Sequence, residues 1–442
     1  MEATAEARVQ KTLGTTGAGL SEQPVVWRGP TRVAFRFAFF YFLLYNIGTF
    51  IDLFPFTDYI ADKYETFWQL IVPWLARHVL HLASPITIFS NGSGDTTYDY
   101  VKVLTQLVIA IAATVICSLF DRRRREYRTL HQWFMLLLRI ALGITMVSYG
   151  AVKVIKSQFP DPSLGRLLQP YGDSSPMGLL WTFMGASKSY TIFAGAIECL
   201  GGFLLFVPRL TTLGALVCMG AMGNVFMLNM SYDVPVKLYS FHLLLMALIL
   251  ASPDLRRLAN FFLFHRPVQL QNYYPRLRKK WAAWMLVAAQ VLLIGYYCVI
   301  SFVHAHQALA AYNQKPAICG LWAVDEFATD GRPVPVSLNA PDRWRQFAMG
   351  SAFDVFVILI DGNRQRYRSQ LDTPANKITL IRRDDPTKTS QLKFTNAPTD
   401  QLTLNGTLDG RQLSVKMHRL PNPVFLLNTR GFHWINEFPY NR

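Results

Sequence analysis

Six side chains carry polar or charged groups where lipid would be their solvent. Arg139 lies in LLLRIALG, Glu198 in AGAIECLGG and His242 in YSFHLLL, each inside an apolar run. Tyr149 and Lys153 close one such run, and Asn224 opens the polar stretch NVFMLNMSYDVPVKLYSFHLLL at 224–245. An ionisable residue at mid-span costs about 2.5–3.5 kcal/mol on insertion scales, so it faces a protein interior and has a partner. A carboxylate beside a cation keeps its charge there. A carboxylate beside an imidazole, whose ordinary pKa is near neutral, can carry a proton. Two readings stay open. Glu198 pairs with Arg139 or Lys153 and holds helices together, or it orients a ligand and moves protons with His242. Asn224 and Asn229 tie helices together or line the same cavity, and Asp233 and Pro235 read as turn residues.

The surrounding chain is 51% hydrophobic and only 16% charged, more apolar than an ordinary soluble protein. Its net charge is +16, but the positive residues sit in short clusters between apolar runs, as in the cytoplasmic loops of membrane proteins. No basic stripe accompanies a nucleic-acid motif, so the expected partner is the lipid bilayer and not nucleic acid. The five cysteines form no C-x-x-C pair and four lie in apolar runs, so no disulfide framework or zinc site is expected. His304 and His306 have no third ligand in view, and no metal is expected. The first 24 residues are polar without an apolar signal core, so the first span is expected to act as the insertion signal.

A helix needs about 20 residues to cross the hydrocarbon. Seven runs qualify, at 34–54, 101–120, 132–153, 190–207, 210–230, 235–252 and 281–303. They predict an α-helical polytopic domain at 31–308 after a polar tail at 1–30. With seven spans, Arg28, Arg32, Arg36, the run DRRRREYR at 121–128, Arg209 and the basic residues from Arg256 to Lys280 all share one side. That side is expected to be cytoplasmic, in an inner membrane, with the N-terminus inside and the C-terminus outside. Residues 64–82 place Phe67, Leu70, Ile71, Trp74, Leu75, Val79 and Leu82 on one stripe interrupted by Pro73, which predicts a helix lying on the outer face. The loop 157–189 reads as an ordered cap whose MGLLWTFMG patch dips into the headgroups.

The helical rise of 1.5 Å sets the depths. Glu198 lies about 12 Å below the outer surface, Asn224 and His242 about 10 Å, and Tyr149 and Lys153 about 0–6 Å. These levels predict one polar cavity nearer the outer leaflet. Arg139, Met146, Gly150 and Lys153 share a helical stripe that can offer cations to Glu198, while Gly195, Gly201 and Gly202 permit close helix approach.

Beyond residue 308, short alternating runs such as FDVFVILI, KITLI, QLKFT and RQLSVKM are separated by turn signals, three of them D-G pairs. About eight strands predict an antiparallel barrel or sandwich over 312–442. The opening GLWAVDEF resembles the start of a lipocalin-type barrel, where a Trp in the first strand closes the barrel floor.

Residues 132–255 resemble the DoxX/DoxD family of four-helix membrane proteins. The likeness lies in LRIALGITMVSYGAVKVI, AIECLGGFLLFVPRLTTLGALV and HLLLMALILASPDLRRL, and it matches Arg139, Gly150, Lys153, Glu198 and Arg209 residue by residue. The resemblance implies a membrane protein tied to respiratory or thiol redox chemistry, since DoxD-type members are subunits of thiosulfate:quinone oxidoreductases. The chain departs from the short family form by adding two spans and a surface helix before this part, and one span plus a β domain after it.

Three functions are expected to compete. A quinone-linked redox protein would use Glu198, His242, Lys153 and Tyr149 for hydrogen bonds and protons, with quinone as the cofactor and electrons arriving through a partner. A lipid or small-apolar-ligand carrier would use the cavity and the β domain. A non-catalytic subunit would scaffold a larger membrane complex through the surface helix and the aromatic tail.

Overall fold

In the computed structural model of the chain, the described residues are 27–441 apart from 55, 85, 87, 89–91, 269–274, 276, 278, 386, 398, 399 and 422. Most of the polar tail, and Arg276 and Arg278 of the basic stretch, lie outside them. Seven helices among the described residues are long and apolar enough to cross a membrane, and the chain is a polytopic membrane protein with a C-terminal β-barrel. The described residues fall into two compact units that divide at Ala141 and Leu142, with 275 and 277 grouped with the first.

In the first unit, helix α1 (Gly29–Asp52) starts with Pro30 in its first turn, where a missing N–H does no harm. Helix α2 (Asp58–His78) is not one of the seven spans. Helix α3 (Thr97–Phe120) begins at a capping box, in which Thr96 and Asp99 satisfy each other's backbone N–H groups. Helix α2 buries Trp68, Val72 and Ala76 against Tyr98 and Val101 of α3. Its Phe67, Leu70, Trp74 and Val79 are exposed, so the expected apolar stripe is the side turned away from the protein. Helix α4 (Arg128–Val154) runs across the division.

The second unit continues with a short turn of helix, α5 (Leu164–Leu167), and with α6 (Pro176–Ala186), capped by Ser175. Helix α6 buries Leu180 and Met184 against Phe159 and Val234. Three membrane helices follow, α7 (Lys188–Phe206), α8 (Thr211–Ser231) and α9 (Lys237–Ala251). The sixth span extends through a further helix, α10 (Leu255–Phe262). Helix α11 (Lys280–Asn313) passes the expected boundary at 308 because HAHQALAAYN contains no breaker before Pro316. Its 34 residues span about 51 Å.

The β domain settles as a barrel, not a sandwich. Eight antiparallel strands close on themselves: β1 (Gly320–Thr329), then β3 (Trp344–Ser351), β4 (Asp354–Leu359), β5 (Arg364–Asp372), β6 (Lys377–Arg382), β7 (Thr389–Ala397), β8 (Gln401–Leu408) and β9 (Arg411–Leu420). A two-residue strand, β2 (Arg332–Pro333), pairs only with β1. Each barrel strand pairs with its sequence neighbour, and β9 returns to β1 with Trp322 opposite Arg419. Asp330–Gly331 and Asp409–Gly410 both have left-handed backbone at both positions, the geometry that matches the twist of a hairpin. Inside lies a continuous cluster in which Trp322, Trp344, Phe347, Met349 and Tyr367 are fully buried.

The connection between α4 and α6 grips the barrel. Leu164 and Leu168 pack on Leu321, Ala348 and Phe356. Arg364 donates to the Leu168 carbonyl, and Tyr312 Oη donates to the Asp161 carbonyl at 3.3 Å.

Candidate functional site

The site is built on glycine. Helices α4 and α7 approach so closely that a Cβ on Gly150 would lie 2.7 Å from the Gly195 carbonyl oxygen, and one on Gly202 would lie 2.7 Å from that of Gly143. Such contact between backbones is the use of small residues at membrane helix interfaces, where dispersion replaces the hydrophobic effect. It brings Lys153, at the end of α4, alongside Glu198, in the middle of α7. Lys153 Nζ donates to Glu198 Oε2 at 2.7 Å, and the two side chains are 8% and 3% exposed. Of the two cations open to Glu198 in the sequence, the partner is Lys153.

Two tyrosines adjoin the pair. Lys153 Nζ lies 5.5 Å from the centre of the Tyr149 ring, and Tyr149 lies within electrostatic reach of Glu198. Tyr239 of α9 sets its ring 6.0 Å from that of Tyr149 and bonds Thr145 of α4 through its side chain. Tyr149 is 39% exposed, so the charges are enclosed while this edge of the site stays open. Tyr239 was missed in the sequence. The only signal for it was its spacing of three residues from His242, which puts both on one side of α9.

His242 is buried on α9. His242 Nδ1 lies 2.7 Å from the Leu238 carbonyl oxygen. A carbonyl only accepts, so Nδ1 carries a proton. Asn224 is exposed on α8. Asn229 is the buried asparagine, donating to Ser240 Oγ at 3.0 Å and tying α8 to α9. Arg139 is buried but stands fourteen residues before Lys153, about 21 Å along α4, too far to share the layer. Among the described residues, no group of three or more His, Cys, Asp or Glu is placed to hold a metal ion. The five cysteines are free thiols.

Chemically, the arrangement offers an ammonium and two phenolic hydroxyls as donors beside a carboxylate, with Tyr149 exposed at one side. Comparison with known proteins adds kinship. The Bacillus subtilis (strain 168) protein described as "Uncharacterized protein YwoB" is 32% identical over 126 residues, which is 28% of this chain and 79% of YwoB. The chain belongs to the YwoB family. YwoB's name assigns no activity, and the match leaves most of this chain outside it. No family model and no solved structure matches the chain.

Proposed function

We propose that the four-helix part of the chain is a DoxX-like membrane module that binds a quinone-type ligand beside Lys153 and Glu198 and serves redox chemistry. The observation that carries this reading is the buried Lys153–Glu198 pair, flanked by Tyr149 and Tyr239 at an open edge. An ionisable residue within a membrane span is a functional-site hypothesis by default. A quinone needs an apolar slot, donors for its carbonyls and a proton route. Lys153, Tyr149 and Tyr239 supply donors, and the Glu198–Lys153 pair supplies a proton-holding group. Reduction of a quinone to a quinol takes two electrons and two protons. The electrons come from a redox partner protein and the protons reach the oxygens through this pair.

The test is binding of a short-chain quinone to the purified full-length protein in nanodiscs. Glu198→Gln and Lys153→Gln should each weaken binding by roughly tenfold or more, the worth of a hydrogen bond to a charged group. Binding unchanged in both variants would refute the reading.

A second reading, a subunit of a larger membrane complex, draws on α11. The most apolar window of this helix has none of its residues buried within the chain, and Val291, Leu292 and Val299 are exposed along it. Crosslinking in native membranes that recovers only the lone chain would defeat it. The carrier reading loses support, since large side chains fill the barrel interior.

A further inference from the structure

The first unit contains a basic loop that is pinned in place. Arg36 of α1 is buried and reaches the last turn of α3 and the α3–α4 connection with its three guanidinium nitrogens. Nε donates to Tyr127 Oη at 2.8 Å, Nη1 to Ser118 Oγ at 2.8 Å and Nη2 to the Asp121 carbonyl at 2.9 Å. The Tyr127 hydroxyl in turn donates to Asp121 Oδ2 at 2.6 Å. Arg32 Nη1 donates to the Arg124 carbonyl at 2.9 Å, and the Trp27 N–H to the Arg125 carbonyl at 3.1 Å.

These bonds hold the loop by its backbone, by Tyr127 and by Asp121. They leave the side chains of Arg122, Arg123, Arg124 and Arg125 exposed. Among the described residues, none of the four is in an ion pair, and Arg124 rests on the Tyr127 ring with its guanidinium 4.9 Å from the ring centre. Four adjacent guanidiniums repel one another. A fold that fixes such a loop, with Asp121 turned to Tyr127, presents a surface for anions.

The position says which anion. The loop leaves α3 at Phe120, the end of a span. Trp27 packs there on Phe35, Tyr127 and His131, with ring centres 5.3, 6.2 and 5.7 Å away. Aromatic clusters at span ends sit at the headgroup level. The fork of a guanidinium matches two phosphate oxygens.

We propose that Arg122–Arg125 form a binding surface for the phosphate headgroups of anionic lipids, in the leaflet that meets this end of α1, α3 and α4, with Arg36 as the positioning residue.

The experiment uses the full chain in nanodiscs of phosphatidylcholine and phosphatidylglycerol, with retained lipid counted by native mass spectrometry. A basic residue near a charged membrane surface is worth roughly fivefold in binding. The variant R122Q/R123Q/R124Q/R125Q should therefore retain phosphatidylglycerol at least roughly tenfold more weakly, with phosphatidylcholine retention and melting temperature unchanged. A charge-matched control on the barrel, R332Q/K377Q/K393Q/R411Q, should behave as the unaltered chain. Arg36→Met keeps all four arginines and should still lose phosphatidylglycerol selectivity. Undiminished retention in the loop variant would overturn the proposal. Equal loss in the barrel control would reduce the effect to net charge and overturn it too. Full selectivity in a folded Arg36→Met protein would overturn the positioning role.

Discussion

Gly195 faces Lys153 so closely that a Cβ on Gly195 would come within 2.6 Å of the Lys153 Cβ. The backbone of α4 stands behind that contact, with Val154 N at 2.8 Å, so the strain cannot be relieved by moving a flexible side-chain end. Gly195→Val should force α4 and α7 apart and destabilise the module by about 1–3 kcal/mol, the usual cost of overpacking. Thermal unfolding in detergent, followed by tryptophan fluorescence, would show it. A melting temperature equal to that of the unaltered chain would mean the interface is looser than this geometry requires.

The Lys153–Glu198 pair predicts non-additivity. Removing one partner leaves an uncompensated buried charge, which costs about 3–5 kcal/mol, whereas removing both removes the charge problem. Lys153→Met and Glu198→Leu should each destabilise strongly, and the double variant should be more stable than either. If the two single effects instead add, the pair is not coupled in the folded protein.

Much of the architecture was legible in the sequence because hydropathy and turn chemistry are local. The spans follow from apolar length, and two hairpins from Asp330–Gly331 and Asp409–Gly410. Barrel closure was not legible, since β1 meets β9 across most of the domain and no local signal encodes that pairing. Position along a helix follows from residue count, but rotation about its axis was not readable. Asn224 and Asn229 differ by about 140° around α8, so the one at the expected depth faces outward and the one beyond it is buried. The need for a cation beside Glu198 was readable from charge alone. That His242 would use Nδ1 on its own Leu238 carbonyl, and that Tyr239 would join Tyr149, depended on the packing of α9.

Cys319 gives a pH prediction. Burial pushes its thiol up from an ordinary value of 9.0 to about 11, with Lys315 and Arg419 pulling weakly the other way. The thiolate is the reactive form, so at pH 8 Cys319 should alkylate roughly 100-fold more slowly than an ordinary thiol. The rate should climb about tenfold per pH unit until near 11. The raised value also means that any stability tied to this group is fully present below pH 9 and is lost as pH rises toward 11. Peptide-resolved iodoacetamide labelling across this range would check it, and a rate that levels off near pH 9 would contradict it.

The last prediction concerns the junction between the α4–α6 connection and the barrel. Gly165 in α5 lies against the ring of Phe356 on β4, where a Cβ would collide with ring carbons. Leu164 and Leu168 flank the contact, and Arg364 of β5 donates to the Leu168 carbonyl. The barrel core does not depend on this contact, because its buried cluster is complete within residues 318–417. Gly165→Val should therefore release the barrel from the loop without unfolding it. Hydrogen exchange should speed up in 163–168 and on the facing edge of β3 and β4, while the buried alternating positions of β9 keep their protection. Arg364→Ala should produce a weaker version of the same pattern. If Gly165→Val instead lost protection throughout β5 to β9, the junction would be part of the barrel's own folding unit and not a clasp laid on a finished one.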